Sequence, residues 1–340
     1  MEVPKPIDRL TAFCQVSTIV MCAILLSGCD REPPADQAVP QPPVSEQVQA
    51  EPYLPEGAEP PATEWNYRLV RAFDSGMEEL RAIRVTSDGK LYAAGEGGIR
   101  VFDLTGEVLT EIQTTAPAQA VALDADGNLW VGLRTKVEKY APDGRLLTSW
   151  GTEGRGRGEL SFVTGIDVHG MNVLVADSGN RVVHRFDLTG DFVNEIGERD
   201  SEAGFVGIIL PSPTLECHVD EEGRVQVNNS GRLRVETYRL DGELMGHWGE
   251  AGIAAEKFCG CCNPSSISLG EDGRVATGEK AIHRVKVYDA EHRMIAHVGP
   301  KHFSSDQTTP LLVGFAPEER LIVGDTGDKR IRVFERAEVE

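Results

Sequence analysis

The sequence predicts an all-β protein, a six-bladed β-propeller of four-stranded antiparallel blades, over residues 66–336. The first observation is an aromatic residue that closes the third strand of each repeat, at spacings of 38, 46, 52, 50 and 46 residues: Phe102, Tyr140, Phe186, Tyr238, Tyr288 and Phe334. The second is a hairpin turn before each aromatic residue, with Gly in the first five: Asp88-Gly89, Asp126-Gly127, His169-Gly170, Glu222-Gly223, Asp272-Gly273 and Glu318-Glu319. Gly favours such turns because it tolerates a positive φ.

The ends of the repeat region predict how the propeller closes. The sixth repeat leaves too few residues after Phe334 for a fourth strand, and residues 337–340 form a C-terminal tail. A spare strand, Tyr67–Phe73, precedes the first repeat. We expect it to pair with the last blade, because an uncovered edge strand invites aggregation.

Two segments carry a more specific pattern. Residues 173–187 read VLVADSGNRVVHRFD, and residues 321–334 read LIVGDTGDKRIRVF. Both closely resemble the NHL repeat, and the resemblance extends over residues 66–336 with weaker matches in the other four repeats. Propellers bind at the face that carries their loops, so the polar residues of these segments are loop-face binding candidates, although such side chains often only hold loops together: Asp177, Asn180, Arg181, Asp325 and Arg330.

Residues 1–28 are expected to be a targeting segment. No charged residue occurs over residues 10–28, and the continuous apolar run of residues 19–26 is short for a membrane span of about 20 residues. The run ends in LSGC at residues 26–29, which resembles the lipobox of bacterial lipoproteins. The resemblance implies cleavage before Cys29 and lipidation of its sulfur, giving a lipid-anchored, extracytoplasmic protein of the cell envelope. Asp30 resembles the signal that retains enterobacterial lipoproteins in the inner membrane.

Residues 29–65 are expected to be the lipidated cysteine followed by a disordered tether. Nine prolines fall between Pro33 and Pro61, and residues 30–64 contain eight acidic residues but only one basic residue, Arg31. Proline lacks the backbone donor that helices and sheets need, and like charges repel one another. The tether therefore holds the folded domain clear of the lipid surface.

Residues 258–264 contain three cysteines in four positions, Cys259, Cys261 and Cys262, between the fourth and fifth blades. This segment, here named the Cys loop, is followed by Glu279-Lys280 and by RVKVY at residues 284–288. The combination resembles a loop of bacterial NHL-like proteins of undefined role, which implies a family feature and no activity. Asn263, Glu279 and Lys280 join the loop-face candidates, with an ordinary surface ion pair as the simpler account of the last two.

Three interpretations of the Cys loop stay open. A soft metal (copper, zinc or an iron–sulfur centre) could bind the thiolates, with a further ligand from Cys217, His218, His283 or Glu279. The adjacent Cys261 and Cys262 could form a redox site, or a structural disulfide could join the loop to Cys217. Cys217 also aligns with core positions of other inner strands, where cysteine acts as a small apolar residue. The absence of Cys-x-x-Cys-His excludes covalent haem.

These observations favour a binding or scaffold module that presents its loop face to a protein, peptide or glycan partner in the envelope. One alternative is a metal- or redox-linked accessory protein that uses the Cys loop. A second alternative is a propeller hydrolase or lyase with a metal in the central channel, but the sequence identifies no catalytic residues for it. A net charge of −20 argues against binding to nucleic acid through phosphates.

Overall fold

The structure, a computed structural model, describes residues 64–65, 67–200, 202, 204, 206–306 and 308–337. Six antiparallel sheets follow one another along this part of the chain, one for each predicted blade. The first strands of blades 1 to 6 contact each other and form the inner ring around the channel. The six-bladed, all-β prediction is confirmed.

The first three blades have four strands each, in chain order from the inside outwards. Blade 1 contains Leu80–Val85, Leu91–Gly95, Gly98–Phe102 and Val108–Ile112. Blade 2 contains Ala120–Leu123, Leu129–Gly132, Val137–Tyr140 and Leu146–Trp150. Blade 3 contains Val163–His169, Asn172–Asp177, Val182–Asp187 and Phe192–Ile196.

The remaining blades repeat this order, and single 3-10 turns at Ser230–Arg232 and Pro300–His302 accompany them. Blade 4 contains Cys217–Val219, Val225–Asn229, Arg234–Tyr238 and Leu244–Trp248. Blade 5 contains Ser266–Leu269, Val275–Glu279, Arg284–Tyr288 and Met294–Val298. Blade 6 contains Leu311–Ala316, Arg320–Asp325 and Arg330–Arg336.

The fourth strand of blade 6 comes from the beginning of the described chain, as predicted. Tyr67–Asp74 pairs antiparallel with Arg330–Arg336, with Leu69 opposite Phe334. A second, shorter strand was not predicted. Glu64–Trp65, assigned to the tether by sequence, pairs with Val298 and His297 at the outer edge of blade 5.

Apolar clusters between neighbouring blades make up the core. Between blades 3 and 4, for example, Leu174, Ile196, Leu215 and Tyr238 are buried together. Removing each such side chain from water stabilises the fold by about 1.5–3 kcal/mol. The alternating apolar residues of the repeats therefore pack each blade against the next.

Polar side chains connect the inner strands where no sheet ladder runs between blades. Thr164 Oγ1 donates to Leu215 O at 2.8 Å, and Glu216 Oε2 accepts from Ile267 N at 2.8 Å. Ser266 Oγ donates to Leu311 O. Buried backbone groups need such partners, so these bonds join blades 3 to 6 around the channel.

None of the helices in the described part of the chain is long and apolar enough to cross a membrane. The predicted signal segment, the lipidation site Cys29, Asp30 and residues 31–63 of the tether lie outside the described residues. They stay predictions from sequence.

Candidate functional sites on the loop face

One face of the propeller carries the Cys loop and the turns that contain the loop-face candidates. The interblade loops enter the inner strands at this face, and the turns between second and third strands return to it because the strands are antiparallel. The Cys loop precedes Ser266, and the turns at Asn180–Arg181 and Lys280 follow second strands. We call this side the loop face.

Asp177 serves the fold rather than a ligand. Its carboxylate is fully buried and accepts hydrogen bonds from the backbone N–H of Ser161 (2.7 Å) and Phe162 (2.9 Å), which belong to the preceding interblade loop. It also accepts from Asn180 N, whose side chain in turn donates to Glu159 O at 2.9 Å. Burial raises the pKa of Asp177, but the His184 side chain and these backbone N–H donors outweigh it and hold the pKa below its usual value.

Blade 6 repeats the arrangement. Asp325 is fully buried and accepts from Ser304 N at 2.6 Å and Gly327 N at 2.9 Å, so it fixes the loop before blade 6. Arg330 is exposed beside the closing strand, where it donates to Ala72 O at 3.4 Å. Asp177, Asn180 and Asp325 therefore hold loops, which is the simpler of the two interpretations offered by sequence.

Arg181 lies differently, because its side chain borders a cleft on the loop face. The backbone φ of Arg181 is 61°, and its N–H donates to Asp177 O at 2.7 Å, so the clamped turn fixes its position. The cleft holds about 520 Å³ and is also lined by Arg155 and Arg199, and by Glu195 and Glu198, which pair with Arg157. None of the guanidinium groups of Arg155, Arg181 and Arg199 is paired with an acidic residue in the part of the chain that the structure describes. We call this the arginine cleft.

The floor of the arginine cleft contains a buried histidine. His184 has no exposed surface, and its ring lies between Asp177 Oδ2, 3.7 Å from Nε2, and Glu195 Oε1, 3.4 Å from Nδ1. Sequence analysis identified Arg181 but missed Arg155, Arg199 and His184. The interblade loops that bring the two arginines to the cleft carry no repeat pattern, so no signal in the sequence pointed to them.

Asn263 holds the Cys loop against blade 5. Only 1% of its surface is exposed. Its Nδ2 donates to Cys259 O at 2.6 Å and Lys280 O at 3.0 Å, and its Oδ1 accepts from Lys280 N at 2.8 Å. The amide of Asn263 therefore joins the Cys loop to the turn after the second strand of blade 5.

The thiols of the Cys loop are free and two of them are adjacent. The Sγ atoms of Cys261, which is exposed, and Cys262, which is half-buried, lie 3.1 Å apart. Lys280 Nζ donates to Ser212 Oγ at 3.1 Å beside them. Burial and the neighbouring Cys261 thiol raise the pKa of Cys262, against the opposing influence of Ser212 and Lys280.

The structure does not bring the further metal ligands proposed from the sequence close to these thiols. Cys217 is buried in the core between blades 3 and 4, which confirms its interpretation as a small core residue, and burial raises the pKa of its thiol. His283 is buried with its ring nitrogens 3.1 Å from Ser304 O and 2.8 Å from Thr309 O. Among the described residues, no three His, Cys, Asp or Glu side chains form a group that could hold a metal.

Glu279 is a buried residue and not half of a surface pair with Lys280, so that expectation is wrong. Its carboxylate lies 2.6 Å from Lys286 Nζ and 3.0 Å from Arg284, both themselves buried. The Lys286 ammonium also lies 4.2 Å from the centre of the Phe258 ring, which belongs to the Cys loop. Burial lowers the pKa of Lys286 to about 8. This ion-pair network supports the Cys loop from below.

His218 lies in the central channel, at a polar cluster that sequence analysis missed. Arg84 connects Asp167, at 2.9 Å, to His218 Nδ1, at 3.0 Å. Burial and the Arg84 charge lower the pKa of His218 to about 4, so its ring is neutral at pH 7. A cavity of about 480 Å³ leads to Arg84 and His218 from the face opposite the loop face.

Comparisons with known proteins match the architecture and not a family. No protein-family model and no curated protein matches the chain. Virginiamycin B lyase from Staphylococcus aureus has a similar structure, with 11% identity and a TM-score of 0.55 over 80% of this chain and 100% of that one. This chain shares the propeller fold.

Two further solved structures give the same result. A streptogramin B lyase is 11% identical, with a TM-score of 0.52 over 80% of this chain and 98% of that one. A protein of unknown function from Bacteroides caccae is 14% identical, with a TM-score of 0.50 over 69% of this chain and 86% of that one. At such identities, the likeness extends to the fold alone.

Proposed function

We propose that the propeller is a lipid-tethered, extracytoplasmic binding module whose arginine cleft recognises an acidic peptide segment of an envelope partner. The supporting observation is that Arg155, Arg181 and Arg199 line one cleft without an acidic partner among the described residues. The cleft wall also contains Glu195 and Glu198, but both lie within 4 Å of Arg157, at 3.9 Å and 3.1 Å, so the three arginines stay available to an acidic ligand. Guanidinium groups pair well with carboxylates because their donors match both oxygens.

The cleft also has the size and rigidity that recognition requires. Its volume of about 520 Å³ falls within the range of about 300–1,000 Å³ that is common for ligand sites. The Asp177 carboxylate clamps both the turn that carries Arg181 and the loop that follows Arg155. A site held in place before binding loses less conformational entropy when the ligand arrives.

A hydrolase or lyase activity has one supporting observation, the cluster of Arg84, Asp167 and His218 below the opposite cavity. Two of the solved structures similar to this chain are called lyases. However, the Arg84 guanidinium is already bonded to Asp167 and His218, so the cluster joins blades 1, 3 and 4. We therefore place binding ahead of catalysis.

The test measures binding of a fluorescein-labelled hexaglutamate peptide to the purified chain by fluorescence anisotropy. The double variant Arg155→Ala/Arg181→Ala is expected to weaken the affinity about tenfold, since each exposed charge-assisted contact contributes about 0.7 kcal/mol. Added salt should weaken the wild-type complex more than that of the variant.

Arg145→Ala is the matched control. Arg145 is also exposed, but it follows the turn between the third and fourth strands of blade 2, on the opposite face. Its removal changes the net charge by one, as each of the single variants Arg155→Ala and Arg181→Ala does, and should leave the affinity unchanged while they weaken it. Equal weakening by the control and by the single variants, or no binding of the peptide at all, contradicts the proposal.

A further inference from the structure

We infer that Cys261 and Cys262 form a reversible disulfide, which makes the Cys loop a site of thiol–disulfide exchange. The inference is independent of the arginine cleft and of the binding role proposed for it. It is based on the proximity of two thiols, on the way the chain holds them, and on the positions of the other cysteines.

The two sulfur atoms are already close to bonding distance. They lie 3.1 Å apart, and a disulfide needs about 2.05 Å, so a movement of about 1 Å joins them. Cys261 is exposed and open to a reagent, whereas Cys262 is half-buried next to it. An exposed thiol with a resolving thiol beside it is the arrangement that exchange chemistry uses.

The rest of the loop is fixed by contacts on both sides of the thiol pair. Asn263 bonds to Cys259 O and to both backbone groups of Lys280. After it, Pro264 O accepts from the buried Asn228 side chain at 3.1 Å. Because the flanking backbone is held, the adjustment that closes the disulfide ring falls on residues 261 and 262 and on the peptide bond between them.

Other roles for the pair have less support in the described part of the chain. Cys217 is sealed in the core, so it offers no disulfide partner. No third His, Cys, Asp or Glu among the described residues joins the thiols as a metal ligand. Two-electron oxidation needs only the two sulfurs, whereas structural zinc sites have four ligands.

The exchange reaction balances with an external disulfide as the oxidant, such as a small-molecule or protein disulfide. The Cys261 thiolate attacks one sulfur of that disulfide and releases its other sulfur as a thiolate. The Cys262 thiolate then attacks Cys261 Sγ and releases the second thiolate, so the chain loses two electrons and two protons in total. Lys280 and Ser212 lie beside Cys262 and favour its thiolate during the second step.

The experiment equilibrates the full chain with reduced or oxidised glutathione, alkylates free thiols after denaturation, and digests the chain with trypsin. Cleavage after Lys257 and Arg274 releases residues 258–274, which hold Cys259, Cys261, Cys262 and no other cysteine. We expect three alkylated thiols in that peptide under reducing conditions, one under oxidising conditions, and full return of the others on adding dithiothreitol.

Three single variants assign the bond. Cys259→Ser should keep the redox-dependent loss of two thiols, whereas Cys261→Ser and Cys262→Ser should abolish it and leave a mixed disulfide with glutathione. Circular dichroism checks that each variant is folded. Three free thiols at every glutathione ratio, or a redox-dependent bond that survives in Cys261→Ser or Cys262→Ser, overturns the inference.

Discussion

At the scale of single residues, the channel wall contains a carboxyl group in an unfavourable position. Glu216 is half-buried where blades 4 and 5 meet, and Ile267 N donates to it at 2.8 Å. Burial raises its pKa to about 8, although that bond and the Arg84 charge oppose the shift. Between pH 4.5, which is the ordinary pKa of glutamate, and about pH 8, the Glu216 carboxyl group binds more protons in the folded chain than in the unfolded chain. The contribution of Glu216 to stability is therefore lost as pH rises through that range.

Glu216→Gln should remove this loss, because glutamine accepts the same hydrogen bond without ionising. We expect the variant to be more stable than wild type by about 4 kcal/mol at pH 8 and nearly equal to it at pH 4.5. The measurement is urea unfolding at several pH values. His218 titrates near pH 4 in the folded chain and affects both proteins alike, so it cancels in the difference. A variant that is less stable at pH 8 contradicts this account.

At the scale of strands and loops, the repeat pattern predicts the strands that recur in every blade. It does not predict the segments that lie outside the repeat. The third-strand aromatic residues and Tyr67–Asp74 lie where expected, because hydrophobic alternation and hairpin glycines act locally. The Glu64–Trp65 strand could not be predicted, because two residues are too few to show an alternation of apolar and polar side chains. The arginine cleft was missed for another reason. It joins Arg155, Arg181 and Arg199 across loops whose spacing no local rule fixes.

The closing strand offers a test at this scale. A chain that starts at Ser75 lacks the strand that pairs with Arg330–Arg336. The backbone edge of that strand is then unpaired and exposed, and the core contacts of Tyr67 and Phe73 are lost. We expect a melting temperature at least about 10 °C lower than that of a chain starting at Tyr67, together with oligomers in size-exclusion chromatography. The second chain is the matched control, because both lack Glu64–Trp65. Equal melting temperatures and two monomers would show that blade 6 does not need this strand.

At the scale of the whole molecule, the loop face and the opposite face differ in which polar groups are accessible to a partner. On the loop face, buried carboxylates and amides fix the loops, leaving Arg155, Arg181 and the thiol of Cys261 outward. On the opposite side, Arg84, Asp167 and His218 are bonded to each other across the channel. A partner that binds the loop face therefore meets the arginine cleft and the exposed thiol of Cys261 on the same side of the propeller.

Such a partner must share a compartment with the propeller, and the segment predicted to decide this is LSGC at residues 26–29, which resembles a lipobox. We predict that Cys29→Ser, expressed in a bacterium as the full chain, moves the protein from the membrane fraction to the soluble periplasm or leaves its precursor uncleaved. The reason is that only a thiol accepts the diacylglycerol group, and a lipid anchor gains about 0.8 kcal/mol for each buried CH₂. Ser27→Ala keeps a small residue at the cleavage site and should leave the protein in the membrane fraction. If Cys29→Ser stays with the membrane at its mature mass, the anchor is not a lipid on Cys29.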